Sequence, residues 1–126
     1  MRGSRPTSDQ EHARAIIEQA ARFLESLAAL TADHEMPMQQ IQLLLQLYLR
    51  GEVEQQELPK YTRVERSANS RNVRKLGPGE RPHLRAGPGY VESYDYPMDQ
   101  RLKIVRLTPR GRAVLEGAAI RAQEPE

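Results

Sequence analysis

Between Glu57 and Leu76 the sequence reads as two short helices joined by only three residues. The first piece, Glu57 to Thr62, tolerates Pro59 because the opening turn of a helix has an N–H to spare. After Arg63-Val64-Glu65 a second helix is expected over Arg66 to Leu76. So short a connection obliges the two helices to pack across each other, which makes the stretch a helix-turn-helix candidate. Its second helix divides by side. Arg66, Ser67, Ser70, Arg71 and Arg74 share one face, while Asn69, Val73 and Leu76 lie opposite, and Lys75 adds to the basic block. A basic, hydroxyl-rich helix face behind a tight turn suits the major groove of duplex DNA.

The flanking sequence supplies a frame for that unit. A helix is expected from Asp9 to about Thr31, capped by Ser8 or Asp9, with Glu11 near the positive end of its dipole. Ile16, Ala20, Phe23, Leu24 and Leu27 recur at three- and four-residue steps and form one apolar stripe. Asp33 to Pro37 breaks the pattern, and a second helix follows to about Arg50, with Pro37 in its first turn and Gly51 closing it. Leu43, Leu47 and Leu49 beside the stripe Ile41, Leu44, Leu45 and Tyr48 make this helix apolar nearly all round, as a central helix is.

Beyond Leu76, residues 77–89 carry four glycines and three prolines and form an irregular loop. Two strand-like runs, Tyr90–Asp95 and Arg101–Leu107, then flank a polar tip, Tyr96 to Gln100, as in a β-hairpin. Ile104 and Val105 are adjacent, so alternation allows only one of them to face inward. Thr108-Pro109 reads as an N-cap followed by the first residue of a last helix, which runs to about Ala122.

Charge is distributed unevenly. Six acidic residues face two basic ones between Asp9 and Glu35, whereas eight basic residues face two acidic ones between Lys60 and Arg85. A basic block confined to one part of a chain marks where a polyanion would sit, though a solvated basic surface has the same composition. The 126 residues are expected to form one domain. With one Phe and no Trp the core is built from Leu, Ile, Val and Ala, and this thin apolar content points to burial against a second subunit. The absence of cysteine excludes disulfides, zinc–cysteine sites and thiol redox sensing. No apolar run reaches the length of a membrane span and the N-terminus lacks a secretory apolar stretch, so a cytoplasmic location is expected by elimination.

Other constellations have plain readings. His12, His34 and His83 are scattered, and Asp33-His34-Glu35 is read as a solvated helix end rather than a metal site. Gly77-Pro78-Gly79 lacks the strand before it and the Lys-Ser/Thr after it that a phosphate loop needs. Tyr90, Tyr94 and Tyr96 are read as strand residues rather than stacking platforms for unpaired bases. No nucleophile, base or cofactor site is evident, so neither an enzyme nor a cofactor is expected.

The order of these pieces resembles the MarR family of regulators. Pro97-Met98-Asp99-Gln100-Arg101, then Val105-x-Leu107-Thr108-x-x-Gly111, is similar to the family's wing and last-helix start. Ser70-Arg71-Asn72-Val73-x-x-Leu76 fits the recognition helix, and Gly89-Tyr90-Val91-Glu92 fits the strand that opens the wing. The Gly/Pro-rich insert resembles versions of the domain found in phages and mobile elements. The likeness spans roughly residues 37–116. It implies that Arg101 reaches a minor groove, that Asp99 holds the wing tip or that arginine by a charge-assisted hydrogen bond, and that Ser67, Ser70 and Arg71 meet bases or phosphates. Three departures stand out. Arg63 replaces a frequent Gly of the turn, Asn69 occupies an apolar position, and Gln100 replaces a common Arg. The last helix is short and carries Gly111 and Gly117, which bears on the dimer interface.

The expected fold is therefore mainly α with a small β-hairpin wing, a winged helix-turn-helix with terminal dimerisation helices. Its parts would be an arm at 1–8, a dimerisation helix within 9–35, a DNA-binding domain at 37–107 and a C-terminal helix at 108–122. The DNA-binding set would be Arg66, Ser67, Ser70, Arg71, Arg74, Lys75, Asp99, Gln100 and Arg101. The expected function is that of a homodimeric transcriptional regulator, a repressor, on a pseudo-palindromic duplex. The family often senses aromatic or phenolic ligands, so a small-molecule effector is a further partner to consider. Two other readings stay open: a winged helix that holds another protein, and a replication or partition accessory protein.

Overall fold

The computed structural model describes residues 5, 7–78 and 87–124. Most of the arm expected at 1–8, the interior of the 77–89 insert, and with it Arg81, His83 and Arg85, lie outside the described residues. Among the described residues, five α-helices and a three-stranded sheet follow in the order α1 (Ser8–Leu30), α2 (Met38–Arg50), β1 (Glu52–Glu54), a 3-10 turn (Gln55–Glu57), α3 (Leu58–Thr62), α4 (Arg66–Leu76), β2 (Val91–Tyr96), β3 (Asp99–Leu107) and α5 (Pro109–Gln123).

Helix α1 starts one residue before its expected limit because Thr7, not Ser8 or Asp9, is the cap. The Thr7 hydroxyl accepts from the Gln10 N–H at 3.1 Å and the Gln10 side chain accepts from the Thr7 N–H at 2.7 Å, a reciprocal capping box. Its apolar stripe is only half covered. Leu27 is buried and Phe23 packs against the core, but Ala20 and Leu24 are exposed and Ile16 is 65% exposed. The covered half lies on α5, where the Arg22 Nε donates to the Ala122 carbonyl at 3.0 Å.

Helix α2 is central, with Leu43, Leu44 and Leu47 buried, although its sequence overstates the case: Leu49 is largely exposed. Pro37 is its N-cap, just outside the first turn in which it was expected, and Gly51 closes it with a φ of 87°. The core joins these leucines to Leu27, Leu58, Val73, Leu76, Tyr90, Val105, Leu107 and Leu115.

The hairpin expectation needs two corrections. A third strand, β1, pairs with β3 through Val53↔Val105, giving the order β1-β3-β2. Three residues are too few to show alternation, which hid this strand. The tip is also tighter than the five residues expected: Tyr96 pairs with Asp99, leaving Pro97 and Met98 as the turn, with a register shift at Asp95/Tyr96. Ile104 and Val105 are both buried, since β3 is the middle strand and Ile104 sits on its outer face between its cross-strand partners Glu54 and Tyr94.

Candidate nucleic-acid interface

The turn between α3 and α4 has the expected extent, and two unusual residues shape it. Arg63 has φ 60° and ψ 28°, left-handed backbone that a side chain normally resists. Asn69 is 1% exposed and reaches back into the turn. Its Nδ2 donates to the Val64 carbonyl at 2.9 Å, and its Oδ1 lies 3.2 Å from the Thr62 hydroxyl, which also accepts from the Val64 N–H at 3.2 Å. The Asn69 amide therefore ties together a turn whose left-handed position holds Arg63 rather than glycine.

Helix α4 presents the face read from its sequence. Ala68, Asn69, Asn72, Val73 and Leu76 are buried, Arg66, Ser67, Arg71, Arg74 and Lys75 are exposed, and Ser70 is half-buried. Arg74 Nη1 donates to the Ser70 hydroxyl at 3.0 Å and Arg66 Nη2 to the Gln56 side chain at 3.4 Å. Among the described residues none of Arg63, Arg66, Arg71, Arg74 and Lys75 has a carboxylate partner. Lys60, part of the same basic block in sequence, differs. Its ammonium donates to Glu57, which raises its pKa, so it is neutralised within α3 and its approach.

The wing tip is organised by one carboxylate. Asp99 accepts from the Arg101 backbone N–H, Nε and Nη2, each at 3.0 Å. These bonds hold the Asp99 carboxyl below the usual carboxylate range and raise the Arg101 guanidinium further. Gln100 is exposed between them. Behind the tip, Lys103 bonds Asp95 at 2.9 Å across the hairpin.

Wing and recognition helix open on one shared concavity of about 420 Å³, lined by Arg66, Ser67 and Ser70 from α4, by Arg101, Leu102 and Lys103 from β3, and by Gln55 and Gln56. Six of the nine candidate residues lie on α4 and three on the wing, and the fold brings Arg66, Ser67, Ser70 and Arg101 to this common hollow. The two glutamines and Lys103 were not foreseen. Gln55 and Gln56 enter only because β1 pairs with β3 and aims the following 3-10 turn at the wing.

The outer face of the sheet keeps the wing at a fixed attitude. Arg106 on β3 donates to Glu52 on β1 at 2.9 Å and to Glu92 on β2 at 2.8 Å, and its guanidinium lies 4.7 Å from the Tyr94 ring centre. The Tyr94 hydroxyl and Arg106 together hold the Glu52 carboxyl below its ordinary range. This cation is thus internal to the wing.

The start of α5 is fixed as closely. Thr108 caps it by accepting from the Gly111 N–H at 3.0 Å and donates to the Gly89 carbonyl at 2.6 Å. A Cβ at Gly111 would lie 2.1 Å from the Tyr90 carbonyl oxygen, which accounts for the Leu-Thr-x-x-Gly spacing by close contact. Among the described residues no cluster of three or more His, Asp or Glu side chains could hold a metal ion, and no helix is long and apolar enough to cross a membrane.

Neither a family model nor a curated protein matches the sequence. Solved structures do match the fold. RV1404 from Mycobacterium tuberculosis superposes with a TM-score of 0.68 at 18% identity, over 98% of this chain and 79% of that one. Sco3205, a MarR family transcriptional regulator from Streptomyces coelicolor solved in complex with DNA, has a TM-score of 0.59 at 27% identity, over 96% of this chain and 72% of that one. A mutant MarR from E. coli, solved with operator DNA, has a TM-score of 0.58 at 21% identity, covering 88% and 73%. Among the described residues, five helices around a small antiparallel sheet, with α4 behind a three-residue turn and a hairpin wing that turns at Pro97-Met98, give this chain the winged-helix fold of the MarR-family transcriptional regulators.

Proposed function

We propose that this chain is a DNA-binding transcriptional regulator that acts as a homodimer and represses by occupying a pseudo-palindromic duplex site. One observation carries the reading: among the described residues the four cations of α4 have no carboxylate partner, and Arg66, Ser67 and Ser70 of that helix share a hollow with Arg101 of the wing. Arg14, Lys60, Lys103 and Arg106 are matched by acidic partners, and the unpaired Arg22, Arg50, Arg110, Arg112 and Arg121 are divided among α1, α2 and α5, whereas α4 carries four unpaired cations in eleven residues. Unmatched positive charge on a helix that fits a major groove is the footprint of a polyanion. Ser67, Ser70 and Arg71 are assigned to bases and phosphates in that groove, with Arg66, Arg74 and Lys75 on the backbone. Arg101, oriented by Asp99 with Gln100 beside it, is assigned to the adjacent minor groove. Sco3205 and MarR, each solved with DNA, support the assignment by their fold.

The dimer reading rests on α1. Every residue from Ser8 to Ala21 is exposed, and Ile16, Ile17, Leu24, Leu30 and Ile120 leave an apolar band along α1 and α5. A free helical segment of that length is marginal in water, so burial against a second copy is the natural source of its stability. A two-fold pair would place two α4 helices in successive major grooves about 34 Å apart. Bound at a promoter, such a pair would occlude polymerase, and this is the basis for the repressor assignment.

The test is a titration of the purified protein against the duplex immediately upstream of its own coding region, with random duplex as competitor, at two salt concentrations. The expected result is a specific complex with two chains per site that weakens steeply with salt. Binding indifferent to sequence, or none, would contradict the reading and favour a winged helix that holds another protein.

A further inference from the structure

The wing's candidate DNA contacts are polar, yet its outermost part is not. Pro97 and Met98 form the turn, and Met98, at 83% exposure, is the most exposed large apolar side chain among the described residues. Tyr96 just before it is 39% exposed. The charge at the tip is meanwhile compensated, because Asp99 occupies two of the side-chain donors of Arg101, and Gln100 carries no charge. The tip therefore offers a flexible thioether chain and a proline ring as its leading surface, with the Asp99–Arg101 ion pair behind them.

Apolar side chains, methionine and proline among them, engage DNA from the minor groove. The floor of that groove shows only the acceptors adenine N3 and thymine O2 at A·T pairs, while G·C pairs add the guanine N2 amino group. An apolar chain seated on the floor meets that amino group as an obstruction and buries a donor with no acceptor for it. At A·T tracts the groove is also narrower, so its sugar walls contact the chain from both sides.

We propose that Met98 is a minor-groove contact that selects against G·C pairs in the flanks of the binding site. The assignment rests on the duplex-binding reading above. It adds a discriminating role that the ion pair does not supply: Arg101 is attracted to any narrow groove, whereas Met98 responds to a single exocyclic amino group.

The test begins with sites selected by the full chain from random-sequence duplexes. The chosen core is then rebuilt with flanks of A·T, G·C or inosine·C pairs, inosine lacking only the N2 amino group. The wild-type protein should prefer A·T to G·C flanks by about tenfold, the scale of one mismatched pair, and inosine·C should restore binding nearly to the A·T level. Met98→Ala and Met98→Gln should cut that preference to about twofold, while Met98→Leu keeps most of it, and the salt dependence should stay unchanged because no charge is altered. Unchanged flank discrimination in Met98→Ala, or no flank preference in the wild type, would overturn the proposal while leaving the duplex reading intact. Failure to enrich any sequence would overturn both.

Discussion

The Asn69 side-chain nitrogen donates to the Val64 carbonyl at 2.9 Å, so the recognition helix is tied by its own buried amide to the turn that precedes it. Replacing Asn69 with leucine would leave the Val64 carbonyl without its side-chain donor, while the Thr62 hydroxyl keeps the Leu58 carbonyl at 3.0 Å. Unsatisfied buried polar groups cost about 1–3 kcal/mol each. Asn69→Leu should therefore lower stability by roughly that amount, read as an earlier midpoint in urea unfolding, and should weaken DNA binding through a displaced α4. An unchanged midpoint would show that the latch contributes nothing.

Arg63 provides the complementary experiment. Its left-handed backbone costs a side chain about 1–2 kcal/mol, whereas glycine carries an entropic penalty of about 0.5–1 kcal/mol. The first effect is larger, so Arg63→Gly should raise stability by about 0.5–1 kcal/mol in the same assay. Arg63→Ala keeps the strain and should bring no such gain.

Two glycines of α5 should answer alanine in opposite directions. At Gly111 the new methyl would lie 2.1 Å from the Tyr90 carbonyl oxygen, a backbone atom that cannot swing aside. Gly111→Ala should destabilise by about 1–3 kcal/mol or more despite its better helix propensity. At Gly117 the nearest atom is the Leu30 Cδ1 at 3.5 Å, an ordinary contact, so Gly117→Ala should gain about 0.5–1 kcal/mol. Thermal melts of the two variants separate the cases.

These residues also show what the sequence could and could not convey. The bounds of α4 and its charged face were legible because periodicity and polarity agree over eleven residues. The Asp99–Arg101 contact was legible through resemblance alone. β1 was not, because three residues carry no period, and with it went the three-stranded sheet, Gln55, Gln56 and the Arg106 bridge between Glu52 and Glu92. Asn69 was recognisable as an anomaly, but its partners belong to the folded turn. The α1 stripe is legible as apolar, and only the fold shows which half of it α5 leaves uncovered.

The wing fork has a pH signature. Bonds from the Arg101 side chain, then from its backbone N–H, depress the Asp99 pKa in the folded chain. The fork is therefore fully present above the unfolded-state value, about 3.9, and is lost as pH falls through the lower folded value. Wing geometry should be constant from neutral pH to about pH 5, with change confined to below about pH 4. An NMR titration of the Asp99 carboxyl carbon should show a midpoint below that of an ordinary aspartate, rising in Arg101→Ala. A midpoint already ordinary in the wild type would exclude the fork in solution.

The most direct test of the interface is the salt dependence of duplex binding by wild type, Arg71→Ala, Arg101→Ala and, as a control, Arg14→Ala on α1. In a plot of log affinity against log salt concentration, each lost phosphate contact reduces the slope by about 0.9. The account predicts a shallower slope and weaker binding for Arg71→Ala and Arg101→Ala, with Arg14→Ala matching the wild type. Equal slopes and affinities for all four proteins would show that α4 and the wing are not the surface that meets DNA.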